Sequence, residues 1–162
     1  MCVDLVKRNY TDDEIIDAFD FIDNIEKYDI DYIFHEGAIS STTEIDFHKL
    51  YKQNIKYTCK LAYFCRDNDI SIQYASSASV YGNPSREEWQ NPDKKLSPLN
   101  YYARSKTLCD EIIGLMMKQT PPRLIQGMRY LNVYGPNEDH KEGQSSPYHT
   151  FKLQLERTGK IK

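Results

Sequence analysis

The chain has 162 residues, 40% of them hydrophobic and 28% charged, with a formal net charge of −3. That length suffices for one domain with a core of its own, and the composition is that of a soluble globular chain. The mild acidity gives no reason to expect nucleic acid as a partner, no apolar run approaches a membrane span, and no signal peptide opens the sequence. The four cysteines, Cys2, Cys59, Cys65 and Cys109, form no CxxC pair and no Cys/His cluster with metal-ligand spacing. They read as reduced thiols of a cytoplasmic protein, with no metal site.

Residues 2–6 are strand-like and lead straight into a predicted helix over 11–28. Thr11 is its candidate N-cap, with acids in the first turn. "DYIFHEGA" (31–38) is a short apolar run ending in small residues, the pattern of a buried strand entering a loop. Residues 44–67 form an amphipathic helix: Phe47, Leu50, Tyr51, Thr58, Leu61, Ala62 and Cys65 fall at three- and four-residue steps. "ISIQYASS" (70–77) is the next strand, 86–100 a polar Pro-containing loop, and 101–118 a helix. "RLIQGMRYLNVYG" (123–135) is a strand followed by a turn, 137–147 a loop, and 148–156 a last helix.

Strand and helix alternate, so the expected class is α/β: a Rossmann-like doubly wound parallel sheet, its strands buried on both faces. Ligands in such sheets collect beyond the carboxyl ends of the strands. That rule picks out "HEGAISSTTE", "SSASVYGN" and "NVYGPNEDHK". A dinucleotide-binding sheet normally opens with a strand, a glycine-rich turn and a helix that holds the pyrophosphate. No G-x-x-G-x-x-G occurs in this sequence. The expected fold is therefore incomplete, with the N-terminal βαβ glycine-loop unit largely absent; that the C-terminal substrate domain is largely absent too is implied only by the family that the motifs below resemble. Residues 1–162 read as a partial NAD(P)-binding domain, with the start of a substrate-binding region from about 137.

Ser77, Tyr102 and Lys106 carry the chemistry. Tyr102 and Lys106 stand four apart on one helix and so share a face; Ser77 ends the strand before it. By spacing alone the pair is also compatible with an ordinary surface helix. A tyrosine titrates near pH 10, and an adjacent ammonium together with a positive nicotinamide ring favours the phenolate. The phenolate can take a hydroxyl proton while hydride leaves to the nicotinamide. Ser77 would hydrogen-bond the same substrate oxygen, and Lys106 would also donate to the nicotinamide ribose.

"SSASVYG" some twenty residues before "YYARSK", with "RYLNVYGP" after, resembles the Tyr-x-x-x-Lys pattern of the extended short-chain dehydrogenase/reductase superfamily, whose members act on nucleotide sugars. "HEGA", "SSTTE" and "GPNEDHK" narrow the likeness to the ADP-glyceromanno-heptose 6-epimerases. The resemblance runs from about Asp31 to Glu156. It implies that Glu36, Gly37, Ala38, Ile39 and Ser40 line the cofactor, that Asn54 stands near it, and that Val133 touches it. Gly37 and Ala38 also suit a tight strand exit. Asn54 lies on the apolar stripe of its helix, where a buried amide needs partners, so a structural asparagine explains it equally well. Asn132 and Ser79 would contact substrate, though a loop serine is as often a turn former. His149 would contact sugar or diphosphate.

Lys141 matches a second acid/base of the heptose enzymes. Two epimers of an alcohol present their hydroxyl hydrogens in different orientations, so one acid/base is poorly placed for both. A solvated lysine in a charged loop is the competing reading. The implied activity is epimerisation of an ADP-linked heptose by transient oxidation and re-reduction, with NADP (or NAD) as cofactor and a homo-oligomer at full length. Its rivals are a nucleotide-sugar 4-epimerase and a non-catalytic truncated remnant or interaction module. A 4,6-dehydratase fits less well, since no Asp-Glu pair follows Ser77. The chain alone is expected to bind NADP weakly and to aggregate through an unpaired strand edge.

Overall fold

The computed structural model describes residues 2–4, 15–89, 95–119, 124–136, 138–139, 141 and 145–161. In chain order the elements are strands β1 (Cys2–Asp4) and β2 (Ile15–Asp17), helix α1 (Ala18–Asp23), strand β3 (Tyr32–His35), helices α2 (Phe47–Leu50) and α3 (Tyr57–Asp67), strand β4 (Ser71–Ser77), helices α4 (Arg86–Trp89) and α5 (Tyr101–Gln119), strand β5 (Ile125–Tyr130) and helix α6 (Pro147–Thr158). The chain divides into two compact units, Met1–Arg129 and Tyr130–Lys162.

In the first unit, β1 and β2 pair in parallel, Cys2 opposite Ile15 and Asp4 opposite Asp17. A second sheet has the order β3-β4-β5. Its β3–β4 pair is parallel, with Tyr32 opposite Ser71 and His35 opposite Tyr74. The class is thus α/β with a parallel, incomplete Rossmann-like sheet, as the alternation of elements implies. The core lies where α3 and α5 pack on β4: Leu61, Ala62 and Cys65 meet Ile72, Cys109, Ile113, Met116 and Ile125. Burial alternates along β4, with Ile72, Tyr74 and Ser76 inward and Ser71, Gln73, Ala75 and Ser77 only half-buried. Phe34 on β3 is 70% exposed. The expectation of strands buried on both faces is corrected: among the described residues the helices α3 and α5 cover one face. Within the same residues no helix is long and apolar enough to cross a membrane, and no group of three or more His, Cys, Asp or Glu could hold a metal ion.

The helix expected over 11–28 is much shorter. Residues 15–17 are strand, and the Asp17 carboxylate accepts from the N–H groups of Phe19 and Asp20, so the helix starts at Ala18. A side-chain acceptor in an extended residue stops a helix from growing backwards. Thr11, the expected cap, lies outside the described residues. Within the stretch expected to be a loop, residues 86–89 are helix: Ser85 and Glu88 exchange hydrogen bonds in a capping box at the start of α4.

The long helix over 44–67 begins at Phe47, where Asp46 accepts from Lys49 N–H. Between α2 and α3 it widens into a π-turn, Tyr51–Lys56, with the N–H of Tyr57 donating to Lys52 C=O. At that wider turn Tyr51, expected inward, is 48% exposed, while Asn54 and Ile55 turn in. Helix α5 is as expected, with Asn100 Oδ1 accepting from Ala103 N–H to cap its first turn.

Candidate active site

Ser77 closes β4 in extended geometry and caps the 3-10 turn Ala78–Tyr81. Its Oγ accepts from the N–H of Ser79 (3.2 Å) and from the Ser79 hydroxyl (2.9 Å). Ser79 is therefore a turn former here, holding the Ser77 oxygen in place. Helix α5 packs against this turn. Tyr102, in its first turn, is only 9% exposed, which excludes the surface-helix reading for the ring. Lys106, one turn on, is 4% exposed, and its Nζ donates to Ala75 C=O at 2.7 Å. Ala75 precedes Ser77 by two residues, so the ammonium sits near the carboxyl end of β4. Burial pushes the Lys106 pKa down; Cys109, Asp110 and Glu36 pull against it.

The segment after β3 forms the next wall. Asn54 is fully buried, and its amide is spent on structure. Oδ1 accepts from Ile39 N–H at 2.9 Å; Nδ2 donates to Ile39 C=O and to Ser105 Oγ, both at 3.1 Å. Ser105 Oγ in turn donates to Tyr102 C=O at 2.7 Å. The asparagine thus clamps residues 36–40 to the helix of Tyr102. Glu36, Gly37, Ala38 and Ser40 line a cavity of about 420 Å³ together with Phe19, His35 and Tyr57. Ile39, Asn54, Ser77, Tyr102 and Lys106 do not line it. His35 joins the two regions: its Nε2 lies 2.9 Å from Thr58 Oγ1. Burial, with the Lys106 charge second, lowers its pKa to about 4, so the ring is neutral at pH 7.

The second unit holds the remaining candidates. Asn132 and Val133 follow β5 and are exposed. Glu138 is buried and closes the turn before α6, accepting from Gly135 N–H (3.0 Å), Ser146 N–H (2.7 Å) and Ser146 Oγ (2.9 Å). Those donors hold its carboxyl down at about 2. Lys141 Nζ lies 3.8 Å from Glu138 Oε2, with its side chain 41% exposed. His149 is held by its own backbone N–H on Ser146 Oγ and by Asp139, 3.4 Å from Nε2.

Within the first unit Ile39, Asn54, Ser105 and the Tyr102 carbonyl form one hydrogen-bonded chain, Ser77 and Ser79 form another, and Lys106 is bonded to Ala75 near the end of β4. Asn132, Val133, Lys141 and His149 lie in the second unit. Sequence reasoning passed over His35, Ser105, Asp110, Arg129 and Glu138. Asp110 had a readable signal, since it repeats the four-residue step from Tyr102 and Lys106.

The model of the NAD dependent epimerase/dehydratase family matches residues 4–158. An ADP-L-glycero-D-manno-heptose-6-epimerase of Alkalilimnicola ehrlichii is 37% identical over 150 residues, covering 90% of this chain and 46% of that protein. The crystal structure of the Helicobacter pylori ADP-L-glycero-D-manno-heptose-6-epimerase superposes with a TM-score of 0.74 at 33% identity, over 86% of this chain and 43% of that one. A UDP-N-acetylglucosamine 4-epimerase from Methanobrevibacter ruminantium gives a TM-score of 0.74 at 26% identity, over 88% and 47%. The chain spans a little under half the length of these relatives. A family match across nearly all of a parallel α/β chain, with a buried Tyr-x-x-x-Lys helix packed at the end of its central strand, leads to one conclusion: the chain belongs to the NAD dependent epimerase/dehydratase family, within the extended short-chain dehydrogenase/reductase superfamily.

Proposed function

We propose that the protein containing this chain is a nucleotide-sugar epimerase that interconverts the 6-epimers of an ADP-linked glyceromannoheptose. The observation that carries the reading is the buried Lys106 ammonium, anchored on Ala75 near the end of β4 and one helical turn from the buried Tyr102. The likeness to the two heptose epimerases supports the choice of substrate.

The residues present fit a nicotinamide dinucleotide. Lys106 spends one N–H on Ala75 and keeps two for ribose hydroxyls. Gly37 has no heavy atom within 4 Å of where a Cβ would stand, which leaves room for a close approach to the backbone. Ser77, Tyr102 and Lys106 would face the nicotinamide end, with Glu36 to Ser40 and Val133 lining the rest. When bound, the nicotinamide supplies a hydride acceptor that later returns the hydride. Tyr102 takes the proton of the sugar hydroxyl. Ser77 donates to the same oxygen as it becomes a carbonyl. Lys141 serves as acid/base for the opposite epimer, and Asn132, Ser79 and His149 hold the sugar nucleotide. Residues from about 137 begin the substrate-binding region. NADP is the cofactor in this reading, with NAD as the other choice, in a cytoplasmic homo-oligomer.

The test is turnover of each ADP-heptose epimer by the full-length protein, followed by NMR of the sugar. Tyr102→Phe should remove turnover while cofactor stays bound. Lys141→Met should slow epimerisation by about 10²-fold or more, as for loss of a general acid/base. An unchanged rate in Lys141→Met points to a one-base enzyme such as a 4-epimerase. No turnover of any nucleotide sugar by the wild type points to a non-catalytic module.

A further inference from the structure

The Asp110 carboxylate is the meeting point of three elements. It lies on α5 one turn beyond Lys106, with its side chain 11% exposed. Its Oδ1 accepts from the Tyr74 hydroxyl at 3.1 Å; its Oδ2 accepts from the Ser76 hydroxyl at 2.9 Å and from Arg129 Nε at 3.1 Å. Tyr74 and Ser76 belong to β4, and Arg129 to β5. Arg129 carries the chain of contacts further: Nη1 donates to the Tyr81 hydroxyl at 3.0 Å, and the guanidinium lies 5.0 Å from the Tyr81 ring centroid. Tyr81 ends the turn that Ser77 begins. The backbone makes room for this network. A Cβ at Gly127 would stand 2.5 Å from the Tyr74 hydroxyl, so only glycine lets that ring cross β5 toward Asp110.

The same carboxylate stands one helical turn from Lys106 on α5, and its charge favours the ammonium. The other ionisable groups around that ammonium are Cys109 on its own helix, Glu36 after β3, and His35 at the end of β3, which is neutral at pH 7. Glu36 is exposed, so water screens its charge; Asp110 is buried enough to act with less screening. Arg129 offsets part of the Asp110 charge from the far side.

We propose that Asp110 is a positioning residue for the Tyr102–Lys106 pair: it sets α5 in register against the strand ending in Ser77, and its negative charge keeps the buried Lys106 an ammonium. The proposal rests on the reading of Tyr102 and Lys106 as the catalytic pair. Without Asp110, Lys106 would lose an opposite charge and give up its proton more readily.

The experiment titrates the ¹³Cε resonance of Lys106 in the full-length protein, assigned by its loss in Lys106→Met. Asp110→Asn should lower the Lys106 midpoint by about one pH unit, the size expected for loss of a nearby opposite charge. Asp110→Glu, which keeps the charge, should restore part of that shift. An unmoved Lys106 midpoint in Asp110→Asn overturns the proposal, whatever happens to the rate. Where Asp110→Asn fails to fold, Arg129→Gln decides instead: it should raise the Lys106 midpoint, and no rise overturns the proposal. The functional reading fails separately, through unchanged turnover in Tyr102→Phe, while the lysine titration still decides the role of Asp110.

Discussion

Replacing Asn54 tests whether the clamp on residues 36–40 is energetic and not merely geometric. The amide makes three hydrogen bonds from a fully buried position, two to the Ile39 backbone and one to Ser105. Asn54→Leu removes all three in a side chain of similar size. At about 1 kcal/mol net per bond the loss is about 3 kcal/mol. Ser105 keeps its bond to Tyr102 C=O and half-buried Ile39 can regain water, so the loss stays near that figure. Asn54→Asp is the more telling variant. One oxygen can still accept from Ile39 N–H, but the other now faces the Ile39 carbonyl where an N–H stood at 3.1 Å. A buried carboxylate with a single donor and a carbonyl opposite its other oxygen has its pKa raised by about 3 units, which makes the cost about 4 kcal/mol at pH 7. The neutral acid can donate to that carbonyl, so the sign follows: the penalty is full well above the raised folded-state pKa and shrinks as pH falls toward about 4, the unfolded value. Urea unfolding of wild type, Asn54→Leu and Asn54→Asp at pH 7 and pH 4.5 reads both effects from the midpoints at constant slope. A pH-independent penalty in Asn54→Asp, or a loss below about 1 kcal/mol in Asn54→Leu, would refute the reasoning.

His35 ties stability to pH in the opposite direction. Its folded-state pKa is held at about 4 against 6.5 unfolded, so stability is full above pH 6.5 and falls as pH drops to about 4. The upper bound is about 3 kcal/mol, which His35→Phe should remove from the pH–stability curve. Glu138 acts lower: with its carboxyl held at about 2, its contribution is complete above about pH 4.5 and is lost as pH falls toward 2. Glu138→Gln should leave the Gly135 and Ser146 amides faster to exchange with deuterium at pH 7; unchanged protection would contradict the clasp. Gly82 has φ +70°, and a Cβ there would run into the Ser97 carbonyl. Gly82→Ala should therefore cost about 3 kcal/mol or more, and a smaller shift in unfolding midpoint would mean that the turn after Ser77 yields easily.

Much of this architecture is written in short-range pattern. Helix α5 needs only its Asn100 cap and a three-to-four-residue apolar step, and both are local. The strand at Ser71–Ser77, its small-residue exit, and the Tyr102–Lys106 spacing are equally local, which is why the α/β class and the candidate set around Ser77 could be read directly. The failures have a common cause. Residues 15–17 carry a helical pattern but become strand, since β1 offers them a parallel partner and Asp17 diverts its carboxylate to the next two N–H groups. Tyr51 leaves the apolar stripe at the residue where the helix widens into a π-turn, while Thr58, Leu61, Ala62 and Cys65 beyond it stay buried. Asn54 is bound to Ser105 across 51 positions, and Asp110 to Tyr74 across 36. No periodicity records such pairs. The sequence by itself singled out Ser77, Tyr102 and Lys106 as candidates, through spacing along single elements and the likeness of the motifs around them to a known family. Only the tertiary structure decided which partners Asp110 takes and which amide holds residues 36–40, because a buried polar group takes its partner from whatever element packs against it.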